Sequence, residues 1–186
     1  MIADRPMSNL SFNFMSFCFR FRDYFSPPTK ILEQIGIRPG SIILDYGAGS
    51  GSYSIPAAQL VGPAGKVYAV DIHPLAIREV QKKARMKGLK NVHTILTDYK
   101  TYLPDASIDV ILLLYVLHDF KNPNVVITEL DRVLKPMGLL SVIDHKVDKD
   151  KVVSTVRHAT QGLKLIETGV QDGKRKATLL IFRKEQ

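Results

Sequence analysis

Cysteine is almost absent: Cys18 is the only one among 186 residues. That excludes an internal disulfide, and no Cys/His cluster has the spacing of a zinc site, so no metal is expected. A lone thiol also fits a reducing compartment. No window approaches the roughly 20 consecutive apolar residues that span a bilayer. A secretory leader is not indicated either. Met1–Pro6 lacks a strongly basic start, and the apolar stretch Leu10–Phe21 is broken by Asn13 and Arg20 and followed by Arg22 and Asp23. Cytoplasm is the default. Repeats and low-complexity tracts are missing as well, which leaves one ordinary globular domain as the expectation for this length.

Charge of one sign is in modest excess, with 26 Lys and Arg against 18 Asp and Glu, a net +8. Such a balance can attract nucleic acid, anionic lipid or an acidic substrate. The basic residues are dispersed, however. Lys82, Lys83, Arg85, Lys87 and Lys90 follow one helical stretch and its exit, and Lys174–Lys176 form a short turn. No basic arm with interleaved aromatics reads as a nucleic-acid module, and solvated faces are the default reading.

What is present is alternation. From Ile31 onward, short β-rich runs alternate with helical patterns, the signature of βαβ units and a parallel sheet. Strands are expected at Ser41–Asp45, Lys66–Asp71, Val92–Leu96, Ile108–Leu114 and Leu139–Asp144. The near-continuous apolar run of the fourth marks a strand buried on both faces. Helices fit between them. Pro74 opens Leu75–Lys87 and Gly88 closes it. Asn122 and Pro123 begin a helix running to Leu134, where Val126, Leu130, Val133 and Leu134 share one face. After a short helix over Val152–Gln161, the runs Lys164–Val170 and Ala177–Arg183 flank the turn Asp172-Gly173, and strands joined so tightly pair antiparallel. The fold class is thus α/β, a doubly wound Rossmann-like sheet, mostly parallel, ending in an antiparallel C-terminal hairpin.

The start of the chain stands apart. Phe12, Phe14, Phe17, Phe19, Phe21 and Phe25 crowd into the first twenty-five residues. Residues 1–30 are expected to be a packing segment laid across the domain of residues 31–186, or a lid over a hydrophobic substrate, or a homodimer contact.

Chemistry concentrates at Asp45-Tyr-Gly47-Ala-Gly49-Ser-Gly51, which follows the first strand and precedes an apolar helical run from Ser54 to Leu60. Open α/β sheets bind ligands at this edge, and glycines let the backbone turn sharply with no Cβ in the way. Asp45 can tie down the loop's N–H groups or meet a cationic ligand. Two ligand classes compete. A dinucleotide fingerprint wants Gly-x-Gly-x-x-Gly, but its third site here is Ser52. A sulfonium ligand carries no pyrophosphate, and its ammonium group would make use of the acid before the glycines.

The sequence resembles the class I methyltransferase family at four motifs in order. Asp45-x-Gly47-x-Gly49-x-Gly51 matches the first. Asp71 matches the acid after strand two that takes the ribose hydroxyls, and Asp98 the residue that reads the adenine amino group. Leu117-His118-Asp119 with Pro123, and the run from Leu130 through Pro136 and Gly138, look like the motifs of the small-molecule subset that includes quinone-biosynthesis methyltransferases. The resemblance covers residues 31–145. It implies S-adenosylmethionine as cofactor, held also by Tyr46, Ala48, Ile72, Tyr99 and Leu114, with a small or lipidic methyl acceptor. Tyr115, His118 and Asp119, after strand four, are the implied catalytic group, and Asp144 with His145 forms a second candidate pair. His73, His93 and His158 read as structural or exposed. The arsenic-methylating relatives need several cysteines, which Cys18 alone cannot supply.

Other classes stay open on the sequence. A short-chain NAD(P)-dependent oxidoreductase needs Tyr-x-x-x-Lys, and none of the seven tyrosines has a lysine four residues on. A non-catalytic nucleotide-binding domain shares the same loop.

Overall fold

The computed structural model describes residues 6–170 and 177–186, in two compact units, residues 1–98 and 99–186. The first unit comprises α1 (Asn9–Phe25), α2 (Thr29–Ile35), β1 (Ile42–Tyr46), α3 (Ser54–Val61), β2 (Lys66–Asp71), α4 (Pro74–Met86) and β3 (Val92–Leu96). The second comprises β4 (Ile108–Leu114), a single 3₁₀ turn at Leu117–Asp119, α5 (Pro123–Val133), β5 (Leu134–Ile143), α6 (Lys149–Ala159), β6 (Leu163–Val170) and β7 (Thr178–Lys184). Among the described residues seven strands make up the sheet, ordered β3-β2-β1 in the first unit and β4-β5-β7-β6 in the second. β1, β2 and β3 pair parallel, as do β4 and β5, while β7 pairs antiparallel with both β5 and β6. This is the Rossmann-like class expected, closed by an antiparallel pair. The turn at Asp172-Gly173 and the lysines at 174 and 176 lie outside the described residues.

The central strands follow from their composition. β4 is buried along its whole length save Asp109, as a run of Ile, Val and Leu in a parallel sheet should be. α4 turns one stripe inward, with Ala76, Val80 and Ala84 buried at four-residue spacing. It starts at Pro74 under a His73 cap whose Nδ1 accepts from the N–H of Leu75, and Gly88 follows its end at φ 66°.

Several boundaries differ from the expectation. β1 starts one residue later, because Ser41 closes a turn to Arg38 and offers its carbonyl to Lys66. α5 ends at Val133, and Leu134 already pairs with Ile108. The register then jumps, with Val110 opposite Leu139, so residues 135–138 bulge out around Pro136 and the left-handed Met137 (φ 65°). A helix stop and a strand start therefore overlap there. α6 begins three residues before the expected Val152, since the Asp148 carboxylate accepts the N–H of Lys151 at 2.8 Å. Asn122 stands at the N-cap of α5 without a side-chain hydrogen bond, and Pro123 alone marks that start.

In the N-terminal segment, Phe12 is buried, its ring stacked on His73 with centroids 4.6 Å apart. His73 Nε2 lies 3.0 Å from the carbonyl of Met7, and the Arg22 guanidinium sits over the Tyr53 ring. So α1 packs on the first unit against the residues that directly follow Asp71 and the glycine loop.

Gly65, at the turn into β2, is tightly enclosed: a Cβ there would stand 2.5 Å from Val61 Cβ and 2.7 Å from the Ser41 carbonyl oxygen. The oxygen belongs to the backbone that registers β1 on β2 and cannot yield cheaply. Gly65→Ala is expected to destabilise the protein by about 2 kcal/mol, lowering its melting temperature by roughly 4–8 °C. An unchanged melt would mean that the turn relaxes freely.

Candidate functional site

In the first unit, β1 delivers Asp45 and Tyr46 to the start of the glycine loop. The N–H groups of Gly47 and Ala48 both donate to the carbonyl of Val70, at 2.8 and 2.9 Å, which pins the loop to the end of β2. Gly47, Gly49 and Gly51 have φ of 83°, 52° and 81°, a region costly to any residue with a Cβ. They differ in what surrounds them. A Cβ on Gly51 would meet Val80 Cγ2 at 3.1 Å, so this glycine lets α4 approach the loop. A Cβ on Gly49 would meet nothing within 4 Å. Gly49 faces open space, the cradle that a bound ligand requires.

Two carboxylates frame this cradle. Asp71 Oδ2 accepts the N–H of Gly49 and Oδ1 the N–H of His73, each at 2.8 Å. The loop-holding role expected of Asp45 thus falls to Asp71, which also serves the start of α4. Burial raises the Asp71 pKa despite the His73 and Gly49 N–H groups that favour its charge. Asp45 is 3% exposed and accepts the Ser54 hydroxyl at 2.5 Å. Burial, with the nearby Asp71 charge adding to it and the Ser54 hydroxyl opposing it, pushes Asp45 up from 3.8 to about 7. Two acids whose charge is disfavoured beside an open loop form a ready place for a cation.

The remaining cofactor candidates of this unit are also placed. Tyr46 is buried, and its hydroxyl donates to the carbonyl of Asp98 at 3.1 Å, which joins the first motif to the residue after β3. Nothing in the sequence signalled that link. Ala48 is buried and Ile72 half-buried beside it in the chain order Asp71-Ile72-His73. His73 itself is structural, as read, whereas His93 and His158 are exposed.

The second unit holds the other candidates. Tyr99 and Leu114 are buried. Tyr115 follows β4 with φ 62°, unusual for an aromatic residue, and its N–H donates to Ile143 at 2.6 Å. Strain of that kind concentrates at functional sites. The His118 ring then meets Asp144, with Nδ1 3.0 and 2.9 Å from its two oxygens, while the His118 N–H donates to Oδ2 at 3.1 Å. Asp144 also accepts the Lys146 N–H at 2.8 Å. Burial works against its charge, but the Lys146 N–H and then His118 outweigh it, so its pKa lies below the ordinary carboxylate value.

Asp144 thus orients His118, and the His145 ring of the second candidate pair stands 5.6 Å from that of His118 and 5.8 Å from that of Tyr115. Asp119 sits 3.3 Å from His118 Nε2 with its side chain 57% exposed, on the solvent side of the histidine. The signal was in the topology. Leu114 pairs with Ile143 in parallel, so residues just past both strand ends must meet.

A family model described as "Methyltransferase domain" matches residues 37–181, spanning the glycine loop, both carboxylates and the His118–Asp144 pair. The chain belongs to this methyltransferase domain family. Among similar proteins, the demethylmenaquinone methyltransferase of Geobacillus stearothermophilus is 28% identical over 138 residues, covering 73% of this chain and 59% of that protein. A ubiquinone/menaquinone biosynthesis C-methyltransferase of Hydrogenovibrio crunogenus is 33% identical over 116 residues, 61% of this chain and 45% of that one. The chain spans about half the length of the curated relatives it matches. A SAM-dependent methyltransferase from Aquifex aeolicus superposes with a TM-score of 0.75 at 30% identity, over 84% of this chain and 89% of that one. The [4+2]-cyclase SpnF shares the fold alone, with a TM-score of 0.74 at 17% identity over 85% of this chain and 79% of that one.

For a methyltransferase domain the state of Asp45 has a measurable consequence. Its folded pKa of about 7 exceeds the unfolded 3.8. The stability of protonated Asp45 is therefore fully present below about pH 4 and lost as pH rises through about 7. Asp45→Asn keeps the shape and the acceptor for Ser54 but never ionises. Relative to the parent, the variant is expected to gain stability as pH rises from about 4 to about 7, its advantage at pH 8 exceeding that at pH 5 by roughly 2–3 kcal/mol in ligand-free urea titrations. An advantage that does not change between the two pH values would show that the fold accommodates the ionised carboxylate without cost.

Proposed function

We propose that this chain is a cytoplasmic S-adenosylmethionine-dependent methyltransferase acting on a small or lipidic acceptor of the quinol type. The observation that carries the proposal is the left-handed Gly49 opening on empty space between two carboxylates held at raised pKa. The relatives named for quinone biosynthesis support the acceptor class. Residues 31–186 would do the chemistry, with residues 1–30 packed on them.

The residues fit the cofactor by their own chemistry. Asp45 would face its ammonium group, the loop backbone from Tyr46 through Gly51 would lie along its amino acid end, and Asp71 and Ile72 would meet the ribose. Asp98, Tyr99 and Leu114 would border the adenine. When bound, S-adenosylmethionine supplies a methyl group on a positively charged sulfur. Transfer to such a group depends chiefly on orientation at close approach.

What the protein adds is a proton acceptor. A quinol hydroxyl is a poor activator of its ring until it is deprotonated. His118 carries its Nδ1 proton toward Asp144, which leaves Nε2 to accept a proton from the acceptor. Buried Asp144, held ionised by the Lys146 N–H, stabilises the imidazolium that results. His145, edge-on to this ring, and Tyr115, tilted against His145, would orient the acceptor, and exposed Asp119 would pass the proton to solvent.

Calorimetric titration on protein stripped of carried-over ligand tests the cofactor assignment. S-adenosylmethionine and its demethylated product are expected to bind and NAD(H) to give no heat; tight NAD(H) binding with no response to either sulfur ligand would overturn it. In the same assay Asp144→Asn is expected to bind S-adenosylmethionine like the parent, while kcat for methylation of a short-chain quinol falls by about 10²–10⁴. An Asp144→Asn enzyme with normal kcat would remove the proton-transfer role.

A further inference from the structure

The face of α1 turned away from Phe12 is apolar and uncovered. Phe14, Phe17, Phe21 and Phe25 are 64–71% exposed, and Leu10 and Tyr24 are 81% exposed. Leu10, Phe14, Phe17, Phe21 and Tyr24 recur at intervals of four, three, four and three, which places them in one stripe along seventeen helical residues. Single exposed apolar residues need no explanation, but a contiguous aromatic stripe marks a surface that something covers.

The neighbouring helix shows what covers it. A cavity of about 230 Å³ is lined on one side by Phe12, Asn13, Ser16 and Phe17 of α1, and on the other by Glu79, Lys82 and Lys83 of α4, with Ser50. Lys82 thus stands beside the stripe at Phe17. Arg78, Lys82 and Arg85 are all exposed and follow one another at four and three residues, a basic ridge on one face of α4. The only acid on α4 is half-buried Glu79. Aromatic and aliphatic side chains flanked by Lys and Arg are the composition of a helix that lies in the plane of a membrane interface. The chain's net charge of +8 has the sign that an anionic leaflet attracts. A second copy of the chain would cover the stripe too, but it would bring like charge against like charge.

We infer that α1 and the basic ridge of α4 form a docking surface for an anionic phospholipid bilayer, with the α1 stripe inserted among the acyl chains and Arg78, Lys82 and Arg85 set against the headgroup phosphates. No helix among the described residues is long and apolar enough to cross a membrane, so the association is peripheral. It is reversible and weakened by salt, because the headgroup attraction is screened over about 10 Å at 0.1 M salt.

The full chain, without cofactor or acceptor, is sedimented with sucrose-loaded vesicles of phosphatidylcholine alone, or with about a third phosphatidylglycerol. Methyl transfer plays no part in this readout, so failure of the proposed activity leaves it intact. The bound fraction is expected to be several-fold higher on the anionic vesicles and to fall with added salt. Phe14→Ser, Phe17→Ser and Phe21→Ser combined are expected to lower the partition coefficient at least tenfold, with melting temperature and sedimentation coefficient unchanged. Arg78→Glu with Lys82→Glu is expected to abolish the preference for anionic lipid. The inference is overturned by equal binding to both vesicle types, by a triple serine variant that binds like the parent, or by a parent dimer that the serine variant dissociates.

Discussion

The carboxyl group of Asp45 lies at the end of β1 with the Ser54 hydroxyl donating to it and the charge of Asp71 close by. Burial there makes an isolated negative charge expensive, and the group answers by holding its proton to about pH 7. The other features of the first unit support that position. Val70 fixes the loop through Gly47 and Ala48, Asp71 fixes it through Gly49, and Gly51 admits Val80 of α4. The loop is thereby pinned by backbone and carboxylate hydrogen bonds, and the buried Asp45 carboxyl is the group that a cation would complete. A site of this kind gives up stability in the free protein in return for affinity, as preorganised sites commonly do.

The second unit solves the converse problem. Asp144 is as little exposed as Asp45, yet the backbone N–H groups of Lys146 and His118, together with the His118 ring, keep its pKa low, not high. The two aspartates are thus set to opposite states, Asp45 by burial that its Ser54 partner does not offset and Asp144 by N–H groups and a histidine that outweigh burial. That difference, more than the fold, is what argues for chemistry. The same architecture superposes on a methyltransferase and on a cyclase, so the arrangement of side chains and not the sheet must decide the reaction.

Much of the scaffold was legible in the sequence, because its signals were local. The bounds of β2, β3 and β4 follow from short runs rich in β-branched and apolar residues, and α4 from Pro74 and Gly88. Where the reading slipped, a competing contact decided. Leu134 belongs by periodicity to α5 but pairs with Ile108, and the Asp148 cap extends α6 backward past its apolar positions. At the site, the glycine loop was readable from spacing. Three links were not, since each joins residues far apart in sequence: Asp71 to Gly49, Tyr46 to Asp98, and His118 to Asp144. Only the last could have been reached in advance, from the parallel pairing of β4 and β5. The phenylalanines divided as no composition could say, with Phe12 buried on His73 and four others left open.

The central claim is that Asp45 is protonated in the free protein and ionises to receive a cationic ligand. Calorimetric titration with S-adenosylmethionine at pH 6, repeated in buffers of different ionisation enthalpy, reads the proton count directly. At that pH the ligand's own amino group, with an ordinary α-amino pKa near 8, is already charged and contributes little. The account predicts the release of close to one proton per cofactor bound by the parent, and none by Asp45→Asn. Binding by the parent with no proton released would contradict it.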